Sequence, residues 1–226
     1  MTTTITGFRT FDLRFPTSAQ LDGSDAMNPD PDYSAAYVVL ETSSDELLGH
    51  GMTFTIGRGN ELCVAAIDSL ASQLIGRSLD EFEADLGLAA RLLMHDSQIR
   101  WLGAEKGVVH LAAAAMINAV WDALAKRAGK PLWRYVADLT PEQFVSAIDF
   151  RHISNFLTRD EALAMLQAQA PTKAERIETL LAEGYPAYTT AAGWIGYSDE
   201  AIAEKLNTAY AEGWRHFKIK VGRDIE

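Results

Sequence analysis

Phe217-Lys218-Ile219-Lys220-Val221-Gly222 sets two lysines two residues apart in a run of strand-forming side chains. Side chains alternate along an extended chain, so Lys218 and Lys220 share one face while Phe217, Ile219 and Val221 take the other. Two ammonium groups about 6.7 Å apart, the spacing of such a pair, repel by roughly 2.5 kcal/mol at an effective dielectric near 20. That repulsion eases the loss of a proton from one lysine, and a neutral lysine can take a proton from carbon. Repulsion alone is not enough for a base working near neutral pH, so desolvation or a divalent cation must add the rest. The plain alternative is an edge strand whose lysines block aggregation.

The surrounding pattern favours a covered strand. Tyr185 to Ala191 and Trp214 to Val221 read as strands, with an amphipathic helix capped by Ser198-Asp199-Glu200 and ended by Gly213 between them. Strand, helix, strand is the unit of a parallel sheet or barrel, whose strands are covered on both faces. Upstream, Phe11 to Phe15, Tyr37 to Glu41 and Gly51 to Ile56 read as a small antiparallel sheet. The long polar loop from Thr17 to Asp32 falls between the first two strands. Loops of that length are usually functional or disordered. Its flanking residues Asp25 and Tyr33 read as plain loop solvation and a strand-end aromatic.

Helices are predicted from Glu61 to Ile75, capped by Asn60, and after Ser78-Leu79-Asp80-Glu81, a capping-box pattern. A long, Ala-rich helix from Glu105 to Ala128 is apolar around most of its surface and should be buried; Gly129 and Pro131 stop it. Phe144 to Phe150 reads as a strand, followed by helices from Thr158 to Gln169 and from Thr172 to Glu183.

The chain has 226 residues, a net charge of −11 and 48% hydrophobic side chains, as expected of a globular protein with a sizeable core. The acidic balance argues against nucleic acid and anionic membrane as partners. Cys63 is the single cysteine and sits in a helical apolar pattern, which marks it as a core thiol in a reducing compartment. Met1 to Ile5 lacks the features of a signal peptide, so a cytoplasmic location is expected. The apolar run Val108 to Trp121 is short of the ~20 residues of a membrane span. Ile56-Gly57-Arg58-Gly59-Asn60 is explained by a turn and a helix cap, without a phosphate-binding pattern. His95, Asp96, His110, His152 and His216 show no metal-ligand spacing. His110 is expected as a hydrogen-bonded core or interface histidine, and His216 shares the parity of the two lysines.

These features together resemble the mandelate-racemase subgroup of the enolase superfamily. The helix carrying Ala119, Trp121-Asp122, Ala125-Lys126 and Gly129-Lys130-Pro131-Leu132 is similar to that subgroup's signature. It departs at Ile117, Tyr135 and Ala137, which bears on packing rather than chemistry. The L-fuconate dehydratase members are most similar, through Asp25-Ala26-Met27, Asp30 to Val39, Trp101 to His110, Ile148 to Arg151, Gly184 to Thr190 and Phe217 to Gly222. The resemblance implies an α+β capping domain followed by the start of a modified TIM (β/α) barrel. Its segments would be 1–140 for the capping domain, 141–184 for a linking strand and helices, and 185–226 for the first two barrel strands.

The resemblance further implies that Lys220 is the base that takes the C2 proton of a sugar acid and that Lys218 contacts its carboxylate. One Mg²⁺, held by acidic residues on later strands and by none in this chain, would stabilise the enediolate before the C3 hydroxyl leaves as water. Gly23, Ser24, Asp25 and Tyr33 would close over the sugar, and Trp194 would line the pocket. The expected partners are the substrate, the remainder of the barrel and, in a homo-oligomer, further copies. Because the sequence stops after the second barrel strand, these residues alone are expected to be inactive. The competing readings are a dehydratase or racemase for another sugar acid, and a non-catalytic truncated or binding protein.

Overall fold

The computed structural model describes residues 2–102 and 107–222. It opens with three strands, β1 (Ile5–Arg14), β2 (Ser34–Thr42) and β3 (Gly49–Thr55), paired in the order β1-β2-β3. Helices follow: α1 (Asn60–Ala71), α2 (Leu79–Ala84), α3 (Leu88–Met94), α4 (Val108–Arg127), α5 (Leu132–Asp138), α6 (Pro141–Ser146), α7 (Arg159–Gln169), α8 (Lys173–Glu183) and α9 (Asp199–Ala211). The chain divides into two compact units. The first comprises residues 1–13, 35–54 and 59–176, and the second residues 14–34, 55–58 and 177–226. This division differs from the segmentation at 140 and 184, because residues 141–176 join the first unit and the 14–34 loop joins the second.

In the first unit, α4 is the central element and packs against α1, α2, α3 and α5. All its alanines but Ala114, with Val109, Met116, Val120 and Leu124, are buried. Small side chains let the sheet come close. A Cβ on Gly51 would lie 1.9 Å from the Ala115 carbonyl oxygen, and one on Gly49 would lie 2.2 Å from that of Ala119. Asp122 accepts the His50 N–H at 2.8 Å, tying β3 to the same helix. Arg127 at the end of α4 reaches Asp80 at 2.7 Å and Glu83 at 2.6 Å on α2. By length and composition α4 could cross a membrane, which corrects the shorter span read from Val108 to Trp121. Yet 56% of its most apolar window is buried inside the fold, as in a core helix. The Glu105 start expected for this helix lies outside the described residues.

Local signals decided several elements. Ser78 accepts the Asp80 N–H at 3.0 Å and Glu81 accepts the Ser78 N–H at 3.0 Å, forming the expected capping box. Cys63 is buried in α1, and burial pushes its thiol pKa up. Three expectations are corrected. Phe144 to Phe150 is not a strand: Thr140, Pro141 and Gln143 form a capping box that starts α6, and this helix-start chemistry overrides the apolar run. Asn60 is the first residue of α1 rather than its cap, because its buried amide donates to Asp12 at 2.6 Å and to the Ala35 carbonyl at 3.2 Å. Gly59, with φ of 95°, takes the cap position. The third is His110, whose buried Nδ1 has no hydrogen-bond partner among the described residues.

At the α4–α5 junction, the Asp138 carboxylate takes both bonds of the Arg134 Nε at 3.0 Å and the Lys130 ammonium at 2.8 Å. Arg134, followed by Lys130, lowers its pKa from 3.8 to about 2. A carboxylate with a depressed folded-state pKa stabilises the fold above its unfolded pKa and loses that contribution as pH falls through the folded value. Asp138→Asn should therefore cost about 1 kcal/mol at neutral pH, after allowance for solvent screening, and nothing below pH ~2. Urea unfolding of both proteins across pH 2 to 7 checks this; a constant difference across that range would contradict it.

Candidate functional site

The second unit gathers the 14–34 loop and the C-terminal segments. Neither Tyr185 to Ala191 nor Trp214 to Val221 forms a regular strand. The two runs are extended and meet at one parallel bridge, Thr189 to Phe217. Thr189 N–H donates to the His216 carbonyl at 3.1 Å, Lys218 N–H to Thr189 at 2.9 Å and Lys220 N–H to Gly193 at 2.8 Å. The acceptors of Lys218 and Lys220 lie four residues apart although the lysines are two apart, so the second bond falls outside a regular parallel ladder. α9 joins the two runs, with the Ser198 hydroxyl accepting the Ala201 N–H at 3.2 Å as the predicted cap.

The two lysines meet different surroundings. Lys218 lines an open depression of about 540 Å³ with Pro186, Ala187, Tyr188, His216 and Phe217. Lys220 is half-buried, with its Nζ 3.8 Å from Asp25 Oδ2 and 5.8 Å from the centre of the Trp194 ring. Tyr33 stands edge-on to Trp194 at 6.3 Å between ring centres, and its hydroxyl donates to the Gly23 carbonyl at 3.4 Å. Burial, then the Asp25 charge, pushes the Tyr33 phenol up, so it is neutral near pH 7. Gly23 has φ of 83°, and a Cβ there would sit 2.3 Å from the Tyr33 ring. Only glycine fits both that backbone and that contact.

Asp25 is fixed by its own turn. Its Oδ1 accepts the N–H groups of Met27 at 2.9 Å and Asn28 at 2.8 Å, and the Asn28 amide at 3.2 Å. The Asn28 and Met27 N–H groups, with a smaller effect of Lys220, hold the carboxyl below its usual range. Its second oxygen is left to face Lys220.

Ser24 has a different place. It is completely buried; its hydroxyl accepts the Gly196 N–H at 2.9 Å and its carbonyl accepts the Ile195 N–H at 3.3 Å. Asp22 takes the Tyr197 hydroxyl in the same seam, and burial, then that bond, raises the Tyr197 pKa. Ser24 therefore fastens the loop to residues 195–197 and is buried away from solvent. Ser24→Ala removes the hydroxyl that takes the Gly196 N–H and should cost about 1 kcal/mol locally. Amide exchange at Gly196 should speed up roughly fivefold, and unchanged exchange would contradict the fastening role.

The structure thus brings Gly23, Asp25, Tyr33, Trp194 and Lys220 together, with Ser24 beneath them. Sequence reasoning missed Asp22, Ile195, Gly196 and Tyr197. The only signal was the Gly-Trp-Ile-Gly-Tyr run, which does not reveal its partner. Among the described residues no group of three or more His, Cys, Asp or Glu could hold a metal ion. Asp25 alone among the gathered side chains is a hard oxygen ligand, and it is paired with a lysine, so this set does not fit Mg²⁺.

Residues 30–136 match the family described as mandelate racemase / muconate lactonizing enzyme, N-terminal domain. The chain is 55% identical to an L-galactonate dehydratase of Hypocrea jecorina over 99% of its own length and 50% of that protein's. The solved structure of human mitochondrial enolase superfamily member 1 superposes with a TM-score of 0.94 at 48% identity, covering 99% of this chain and 51% of that one. L-talarate/galactarate dehydratase from Salmonella typhimurium LT2, solved with Mg and L-lyxarohydroxamate, shares the fold with a TM-score of 0.62 at 15% identity, over 100% of this chain and 46% of that one. The chain spans about half the length of the curated relatives it matches. With its sheet, its buried α4 and the match over residues 30–136, the chain carries an α+β capping domain of the mandelate racemase / muconate lactonizing enzyme N-terminal type, and its structural neighbours are enolase superfamily proteins.

Proposed function

We propose that the full-length protein dehydrates a sugar acid, with L-fuconate or L-galactonate as substrate. The observation that carries this reading is Lys220, half-buried beside Asp25 and Trp194. The similarity to an L-galactonate dehydratase supports the substrate class. L-fuconate is L-galactonate without the C6 hydroxyl, so both acids present the same C2 and C3 to a base.

Lys220 Nζ removes the proton on C2, beside the substrate carboxylate. The electron pair moves through an enediolate to C2–C3 as the C3 hydroxyl leaves with a proton as water. The resulting enol takes a proton at C3 and becomes the 2-keto-3-deoxy acid. Lys218 holds the carboxylate, and Tyr33 and Trp194 wall the site. Lys220 acts as the neutral amine, so a substrate hydroxyl must first take over its place on Asp25 Oδ2. Any Mg²⁺ that takes part is ligated by residues outside those described here, and so is the acid that protonates the leaving hydroxyl.

The test is incubation of the full-length protein and Mg²⁺ with a panel of sugar acids, reading 2-keto-3-deoxy acid. Product from L-fuconate or L-galactonate supports the reading. Product only from other acids replaces the substrate, and inversion at C2 without water loss replaces the reaction by racemisation. No change in any acid favours a binding protein of the same fold.

A further inference from the structure

We propose that Asp25 selects acids carrying a single carboxylate, accepting a substrate hydroxyl at Oδ2 and rejecting acids with a second anionic group at that end. This rests on the sugar-acid reading above and narrows it. The carboxylate is held in place by three N–H donors on Oδ1, at 2.9, 2.8 and 3.2 Å, so it cannot swing away from a second anion. Those donors also keep it charged at neutral pH. Its free oxygen faces Lys220 at 3.8 Å, which places it near the carbon that Lys220 addresses. Lys220 is the cation that faces Asp25, and it must be neutral to act as a base. A monoacid can put a hydroxyl at Asp25 while its one carboxylate lies away from it. A diacid or a phosphorylated acid reaching Asp25 would instead meet a fixed negative charge.

Two carboxylates about 5 Å apart repel strongly even at an effective dielectric near 20. Water reaches the Asp25 and Lys220 side chains, which are 30% and 27% exposed, so the discrimination expected is about 30-fold rather than larger. The experiment compares L-galactonate with galactarate on the full-length protein and on Asp25→Asn, by turnover with Mg²⁺ and by calorimetric binding. The natural protein should favour L-galactonate about 30-fold or more in kcat/KM, and the variant should narrow that preference at least tenfold, mainly by lowering KM for galactarate. Equal losses on both acids, or an unchanged ratio, would overturn the proposal. Selective binding that Asp25→Asn relaxes, without turnover of either acid, would keep the charge selection and remove the dehydratase reading. Absence of both turnover and selective binding would remove both.

Discussion

Replacing Lys220 by Ala in the full-length protein should lower dehydration about 1,000-fold or more while leaving the melting temperature within a few degrees. The size of the loss follows from the role: among the described residues no other side chain beside Asp25 and Trp194 is placed to take a proton from carbon, because Tyr33 is held neutral and Asp25 is tied into its own turn. The small stability cost follows from the position, since Lys220's anchoring bond is made by its backbone N–H to Gly193 at 2.8 Å. Lys220→Arg should not rescue turnover, because a guanidinium stays protonated at neutral pH. Lys218→Ala should behave differently, raising KM more than it lowers kcat, as expected for a group that binds the carboxylate. Steady-state kinetics with a melting curve for each variant separates these outcomes. A Lys220→Ala enzyme retaining a tenth of its rate would refute the assignment.

The largest stability effect is expected in the first unit. Gly51→Ala forces a methyl group to within 1.9 Å of the Ala115 carbonyl oxygen, a backbone atom in the middle of α4 that has no rotamer to yield. Either β3 or α4 must shift, and both belong to the main core. The cost should be about 3 kcal/mol, which lowers the melting temperature by roughly 8 °C in a protein of this size. Met52→Ala is the matched control, because Met52 is exposed and should change stability by less than about 0.5 kcal/mol. Equal melting temperatures for Gly51→Ala and the natural protein would mean that the sheet does not lie against α4 as described.

What could be read from the sequence was what neighbouring residues decide among themselves. The Ser78 and Ser198 caps and the Ala-rich α4 depend on residues within one or two turns of each other, and appear as expected; the face that Lys218 and Lys220 were expected to share is not seen, as the two meet different surroundings. Phe144 to Phe150 failed for a local reason too: Thr140-Pro141-Glu142-Gln143 is a helix start, and its apolar followers were read on the wrong period. Asn60 failed for a distant one. Its side chain was expected to cap α1, but it bonds Asp12, 48 residues away, and no local rule names such a partner. The same limit hid the fastening of the loop. Ser24 looked like a substrate contact by resemblance, whereas its hydroxyl is taken by Gly196, 172 residues later. Asp25 and Tyr33 were found through resemblance, and what the geometry adds is their placement against Lys220 and Trp194. The barrel segments were legible as extended runs. Their pairing into regular strands was not observed, as only Thr189 and Phe217 form a bridge.

Loss of the C2 proton tests the central assignment most directly. L-galactonate and L-fuconate, each with Mg²⁺, would be followed in D₂O by proton magnetic resonance with the full-length natural protein and with Lys220→Ala. The account predicts that the C2 proton signal disappears with the natural protein as 2-keto-3-deoxy acid forms, and that it persists with Lys220→Ala. Disappearance at a similar rate with Lys220→Ala, or water loss with the C2 proton retained, would contradict it.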